Sequence, residues 1–95
     1  MADIRDGFYR RLINCIYKIL PLKEEGNDGL DDYVDSVLIQ LYGSLNTYPD
    51  LNYNQQFISI INTLQYFRNN EYTVKQCKRE TFRCINILQN MIEGR

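Results

Sequence analysis

The sequence predicts an all-α fold in which four helices form an antiparallel, up-down bundle. Apolar side chains recur every three or four residues in four separate stretches, which is the period of an α-helix. Short polar segments that contain glycine, proline or asparagine separate these stretches. Short connections favour antiparallel neighbours, and 95 residues are enough for one domain with a single core.

The first helix is predicted over residues 3–20. Its apolar side chains fall at helical spacing: Ile4, Phe8, Leu12, Cys15, Ile16 and Ile19. Pro21 disfavours helical geometry at the residue before it, so we expect the helix to end at Leu20. The polar segment 23–29 contains two glycines and is typical of a loop.

The second and third helices are predicted over residues 29–45 and 53–69. Asp28 is a plausible N-cap for the second, and Asn52 with Gln55 resembles a capping box for the third. The apolar stripe of the second helix consists of Leu30, Val34, Val37, Leu38, Leu41 and Leu45. That of the third consists of Tyr53, Phe57, Ile60, Ile61, Leu64 and Phe67.

The fourth helix is predicted over residues 74–93. Thr73 and Gln76 form a capping-box pattern at its start, and Gly94 is a C-terminal signal. Its apolar stripe consists of Val74, Cys77, Cys84, Ile85, Leu88, Met91 and Ile92. The third and fourth helices have the shortest connection, so we expect them to form the tightest hairpin.

Composition argues against several classes of function. A net charge of −1 disfavours nucleic-acid binding, which needs a surplus of Lys and Arg. The longest apolar runs are three residues, far below the roughly 20 of a membrane span, and the first residues lack the apolar core of a signal peptide. We therefore expect a cytoplasmic protein. Serines without any histidine base argue against an enzyme.

The three cysteines, Cys15, Cys77 and Cys84, are too few and too irregular for a disulfide framework. There is no Cys-x-x-Cys pair and no histidine to complete a set of metal ligands. The pattern favours free thiols packed as small apolar groups, with Cys77 and Cys84 buried on one face of the fourth helix. No metal or cofactor is expected.

Acidic residues are concentrated in the second quarter of the chain, where residues 21–52 carry a net charge of −6. Asp28, Asp31, Asp32 and Asp35 lie near the predicted start of the second helix. The favoured interpretation is that they complement the positive end of the helix dipole. A metal site is the alternative, but the regular ligand spacing and downstream Glu of a calcium loop are missing.

The last 23 residues are basic, with a net charge of +3, and provide the candidate partner-binding residues. These are Lys75, Lys78, Arg79, Phe82 and Arg83. Phe82 falls roughly 120° from the centre of the apolar stripe, among cations. An aromatic side chain surrounded by cations is typical of an interface hot spot, whereas the simpler interpretation is a solvated basic face with one stray Phe. Tyr9, Tyr17, Tyr42 and Tyr66 also fall beside or off their stripes.

The chain resembles the immunity proteins for pediocin-like (class IIa) bacteriocins, of the enterocin A immunity type. The resemblance covers most of the chain and lies in the aliphatic-Tyr segment 12–20, the segment 30–33, the segment 60–67 and the helix that opens after Thr73. These are matches of pattern and length. The chain differs from some members of this family in its acidic second helix and in the lack of a long C-terminal tail.

The resemblance implies a cytosolic four-helix bundle that is not an enzyme and that protects a bacteriocin producer from its own peptide. It implies action at the membrane on the mannose phosphotransferase permease that the bacteriocin has engaged, with the C-terminal half setting which peptides are resisted. The resemblance leaves open whether part of the protein associates with the membrane and whether the protein forms a homo-oligomer. The alternative is a small helical adaptor or regulator, phage-type or homodimeric through off-stripe groups such as Ile39. A nucleic-acid-binding regulator is less favoured because of the charge.

Overall fold

The computed structural model describes residues 4–94, which form an all-α helical bundle without any strand. Five α-helices and one 3-10 helix follow each other along this part of the chain: α1 (Ile4–Tyr17), α2 (Ile19–Glu25), α3 (Leu30–Thr47), the 3-10 helix (Pro49–Tyr53), α4 (Gln55–Asn69) and α5 (Val74–Ile92). The all-α prediction is confirmed, and α1, α3, α4 and α5 correspond to the four predicted helices. The short α2 was not predicted.

The first predicted helix is interrupted at Lys18, three residues before Pro21. In a continuous helix the nitrogen of Pro21 would face the carbonyl of Tyr17, but proline has no N–H and its ring clashes with that carbonyl. The chain therefore ends α1 at Tyr17 and begins α2 at Ile19. Pro21 then lies in the first turn of α2, where a missing N–H costs nothing. The expected stop at Leu20 was wrong.

The last residues of helix α2 occupy the first part of the predicted loop, and Gly26 is the C-cap of the helix. This glycine has a φ of 64°, in the left-handed region that other residues adopt only with strain. The Gly26 and Asn27 amides donate to the carbonyls of Lys23 and Leu22, which satisfies the helix end. The predicted Asp28 cap was wrong, because Gly29 is the N-cap of α3 and, among the described residues, no side chain caps it.

Helix α4 begins two residues later than predicted, because a 3-10 helix occupies the preceding segment. Asn54 is the N-cap, and its side-chain oxygen accepts from the Phe57 amide at 3.0 Å. The predicted cap, Asn52, instead donates to the carbonyls of Leu45 and Pro49, at 3.1 and 3.0 Å. Asn52 therefore holds the turn between α3 and α4 rather than the start of α4.

The predicted capping box of the last helix is confirmed. Thr73 Oγ1 accepts from the Gln76 amide at 3.1 Å, and Gln76 Oε1 accepts from the Thr73 amide at 2.9 Å. The two residues satisfy two backbone donors that the start of a helix leaves without partners. This fixes the first turn of α5 and therefore the rotation of all its later side chains.

One continuous cluster of buried side chains fills the interior and includes most positions of the four predicted stripes. Tyr9, which was predicted beside its stripe, is also buried. Ile4, Tyr53 and Val74 are stripe positions that the structure leaves exposed. Each stands at an end of its helical element, where fewer neighbouring helices surround a side chain.

Helices α3 and α4 run antiparallel. Arg68, near the end of α4, pairs with Asp31 and Asp35 near the start of α3, whereas Tyr42, later in α3, contacts Gln65, earlier in α4. Helix α5 packs against α1 on one side and α4 on the other. The two sides of α5 are therefore lined by different neighbours.

Candidate partner-binding site

The buried side of helix α5 is apolar apart from Thr81. Cys77, Thr81, Cys84, Ile85 and Leu88 are buried in the core. The side chains flanking this row on one side lie toward α1, and those on the other side lie toward α4. The five candidate residues of the sequence are distributed over these flanks and over the solvent side between them.

Phe82 lies on the α1 side and is 39% exposed. Its ring meets the ring of Tyr17 edge-on, with centroids 6.3 Å apart and planes inclined by 66°. Tyr17 is itself 51% exposed at the last residue of α1. An edge-to-face pair of this kind is attractive beyond the area it buries. The two rings therefore form a partly exposed aromatic ridge between the two helices.

Two cations of α5 lie on the same side as this ridge. Lys75 and Lys78 precede Phe82 by seven and four residues, which is about two turns and one turn of helix. Both lysines are exposed. We call the surface of Tyr17, Lys75, Lys78 and Phe82 the aromatic-basic face. It has an apolar centre with positive charge toward the start of α5.

Arg83 lies on the opposite flank, against α4. Its Nη1 donates to Ser59 Oγ at 3.1 Å, its Nη2 donates to Thr63 Oγ1, and its Nε donates to Glu80 Oε1 at 3.1 Å. Glu80 also accepts from Arg79 Nε at 3.2 Å. The structure therefore does not bring the five predicted residues into one patch. It places Lys75, Lys78 and Phe82 together and joins Arg83 to α4.

A groove of about 380 Å³ runs between α4 and α5 beside Arg83, and we call it the α4–α5 groove. Ser59, Asn62 and Tyr66 of α4 and Gln76, Arg79 and Arg83 of α5 are among its lining residues. Most of these side chains carry hydrogen-bond donors, and Tyr66 adds a half-exposed ring. The groove can bind polar groups, and the Ser59 and Thr63 hydroxyls in its lining accept hydrogen bonds from Arg83.

Two of the three cysteines are buried thiols of low reactivity. Cys77 and Cys84 are buried as predicted, Cys15 is partly buried, and all three are free thiols. Burial raises the pKa of Cys84 from its ordinary value of 9.0 to about 11, and burial likewise raises the pKa of Cys77. Both thiols are therefore protonated and poorly nucleophilic at neutral pH. Within residues 4–94, no three His, Cys, Asp or Glu side chains are grouped to hold a metal ion.

The acidic run has partners on α4. Arg68 Nε donates to Asp35 Oδ1 at 2.9 Å, and Arg68 Nη1 lies 3.6 Å from Asp31 Oδ2. Asp31 and Asp32 stand in the first turn of α3, as the dipole interpretation expects. These carboxylates are largely exposed, so the pairs contribute little individually. The positive end of the α3 dipole and the Arg68 side chain therefore account for the acidic run.

Sequence reasoning missed the contact between Tyr17 and Phe82. The spacing placed Tyr17 and Phe82 off their stripes, but it contained no information that α1 and α5 are neighbours along this edge. The sequence signal that could have indicated this contact was the presence of two off-stripe aromatic residues, one in the first helix and one in the last. Sequence reasoning also missed the contact between Lys23 and Tyr72, in which the Lys23 ammonium lies 4.2 Å from the centroid of the Tyr72 ring.

None of the helices between residues 4 and 94 has the length and apolar character needed to cross a membrane. Two surface features of the described residues suit recognition, the aromatic-basic face and the α4–α5 groove. Comparison of the chain with protein-family models, curated proteins and solved structures found no match.

Proposed function

We propose that this protein is an immunity protein that protects a bacteriocin-producing cell from a class IIa bacteriocin. In this proposal it acts from the cytosol on the mannose permease that the bacteriocin has engaged. The aromatic-basic face supplies the contact with that membrane complex. The protein works by binding and catalyses no reaction.

The observation that carries the proposal is the pair of half-exposed rings at Tyr17 and Phe82 beside two lysines. Aromatic side chains at the centre of a polar surface are typical of binding hot spots. The flanking cations suit an acidic protein surface or anionic headgroups near the membrane. The pattern of the segments 12–20 and 60–67, which resembles the bacteriocin immunity family, adds the class of partner. An all-α fold accords with that resemblance.

Expression in a sensitive bacterium, followed by challenge with a panel of class IIa peptides, tests the proposal. We expect survival against one or a few peptides of the panel and no protection against an unrelated pore-forming peptide. Normal killing by every class IIa peptide, at expression levels where the protein is folded and abundant, would contradict the proposal. A fluorescent fusion in the same cells should move to the membrane only when the matching peptide is present.

A second candidate function is a homodimeric helical adaptor, and one observation favours it. Ile39 is 70% exposed on α3, away from the side that enters the core. A second copy could cover this side chain. Sedimentation of the purified protein, combined with the challenge assay, distinguishes the two functions. A dimer that Ile39→Glu converts to a monomer, together with no protection in the challenge assay, would favour the adaptor.

A further inference from the structure

The α4–α5 groove is positively charged and already organised around one arginine. The Arg83 guanidinium is held from three sides by Ser59, Thr63 and Glu80. A side chain fixed in this way loses little conformational freedom when it binds a ligand. The Arg83 side chain remains 40% exposed, so its outer edge still faces the groove.

The donors of the groove outnumber their acceptors. Arg83 has five N–H groups, and its contacts use three of them. Arg79 donates through Nε to Glu80, and its side chain is largely exposed. The Glu80 carboxylate is shared by both arginines, one oxygen to each. Two positive charges and one negative charge leave the lining with a net positive charge.

The rim of the groove adds neutral donors. The Gln76 side-chain oxygen already accepts from the Thr73 amide, so the remaining amide NH2 of Gln76 is a donor in the lining. Asn62 is exposed on the α4 side, and the half-exposed Tyr66 ring forms an apolar wall. A carboxylate is the group that matches two guanidinium donors and surrounding amides, because its two oxygens accept in the plane of the guanidinium fork.

We propose that the α4–α5 groove binds a carboxylate side chain from an acidic segment of a protein partner. Arg79 and Arg83 hold the carboxylate, and Tyr66 packs against the flanking part of the segment. A groove of about 380 Å³ has room for a Glu side chain but not for a whole folded domain. This site lies on the opposite flank of α5 from the aromatic-basic face, so it does not depend on the proposed function.

The test is a titration of the isotope-labelled protein with acetyl-tetraglutamate amide at physiological ionic strength, followed by NMR. We expect the Ser59, Thr63 and Gln76 amide signals to shift and acetyl-tetraglutamine amide to leave them unchanged. Arg79→Gln should weaken the affinity about tenfold or more, as loss of a charge-assisted hydrogen bond does. Arg10→Gln is the matched control, because it makes the same change at an exposed arginine of α1 that lies outside the groove. It should retain the affinity within about twofold.

Three results would overturn the proposal. The first is the absence of any shift in the groove amides at millimolar peptide. The second is an equal loss of affinity in Arg79→Gln and Arg10→Gln, which would show attraction to the general positive charge of the protein surface. The third is binding of inorganic phosphate at the same amides with an affinity equal to that of the peptide, which would show an unspecific anion site. Far-ultraviolet circular dichroism of Arg79→Gln checks that the fold is retained; Arg83 is left intact because it links α4 to α5.

Discussion

The hydroxyl of Tyr33 donates a hydrogen bond of 2.7 Å to the carbonyl oxygen of Cys15, close to the point where α1 ends. The carbonyls of the last turn of a helix have no partner within the helix. A side chain of α3 therefore supplies a donor where the chain breaks between α1 and α2. The contact joins the interrupted part of the first predicted helix to the first turn of α3.

Tyr33→Phe should lower the free energy of unfolding by about 0.5–1.5 kcal/mol, because a part-buried carbonyl loses its donor. Urea denaturation measures the difference. Tyr53→Phe is the control, since Tyr53 is 89% exposed and its hydroxyl can be hydrated in the folded protein. Equal stability of Tyr33→Phe and the parent protein would mean that water replaces the hydroxyl without cost.

Tyr72→Phe should have the opposite effect on stability. The Tyr72 hydroxyl oxygen is buried and has no hydrogen-bond partner among residues 4–94, so folding removes it from water without compensation. The Phe67 ring, stacked at 4.4 Å, and the Lys23 ammonium would still contact a phenylalanine. We expect the free energy of unfolding to rise by up to about 1 kcal/mol in the same urea assay. A clear loss of stability would show that the hydroxyl has a partner in solution.

Stability should fall at alkaline pH. The Cys84 pKa is about 11 in the folded protein against an ordinary 9.0, and burial raises the pKa of Tyr72 from 10.0 to about 12. A group whose folded pKa is raised stabilises the fold fully below the unfolded pKa, and this contribution is lost as pH rises through the folded pKa. The free energy of unfolding should therefore decrease from pH 9 to 11, by about 2–3 kcal/mol for Cys84 alone, and further toward pH 12.

Cys84→Ala provides the control for this pH dependence. The variant is less stable at neutral pH because it leaves a cavity in the core. Its stability should nevertheless fall less than that of the parent between pH 9 and 11, and Tyr72 contributes to the fall that remains. In the native parent, a thiol reagent should label Cys77 and Cys84 slowly at neutral pH. Rapid labelling of both, or stoichiometric zinc in the purified protein, would contradict the assignment of these residues to the core.

Two glycines should respond in opposite ways to substitution by alanine. Gly26→Ala places a side chain at a φ of 64° and should cost about 1 kcal/mol. Gly43 lies inside α3, and a methyl group there would meet open space, so Gly43→Ala should gain about 0.5–1 kcal/mol from helix propensity. Thermal and urea unfolding of the pair measure both effects. A loss of stability in Gly43→Ala would contradict the open surroundings of this residue.

Phe82→Ala should separate stability from function. Phe82 is half-exposed and contacts the Tyr17 ring edge-on. Its removal should therefore lower the free energy of unfolding by about 1 kcal/mol, compared with roughly 3–5 kcal/mol for a core Phe. If the aromatic-basic face binds the partner, protection in the challenge assay should fall, and Tyr17→Ala should have the same effect.

The matched control for these two variants is Tyr53→Ala, which removes an exposed aromatic side chain elsewhere on the surface. It should leave protection unchanged. An unfolded Phe82→Ala protein would place this residue in the core. Full protection by a folded Phe82→Ala protein would move the recognition surface away from the α1–α5 edge.

Local sequence alone determined most of the helices and the core. Helical spacing depends on residues three and four positions apart, so the spacing by itself assigns Val34, Leu41 and Ile60 to the interior. The capping box of Thr73 and Gln76 was predictable for the same reason, because its partners are three residues apart. The errors at helix ends arose where several local signals compete, as in the segment 52–54.

The candidate site, by contrast, was decided by the tertiary structure. Arg79 and Phe82 are three residues apart, and spacing alone cannot state which helix each one meets. Packing of α5 between α1 and α4 turned Phe82 toward Tyr17 and brought Arg83 against Ser59. The sequence determined that α5 has one apolar row and several cations outside it. Which cations lie together followed from contacts between helices that are distant in the chain, because those contacts depend on how whole helix faces fit.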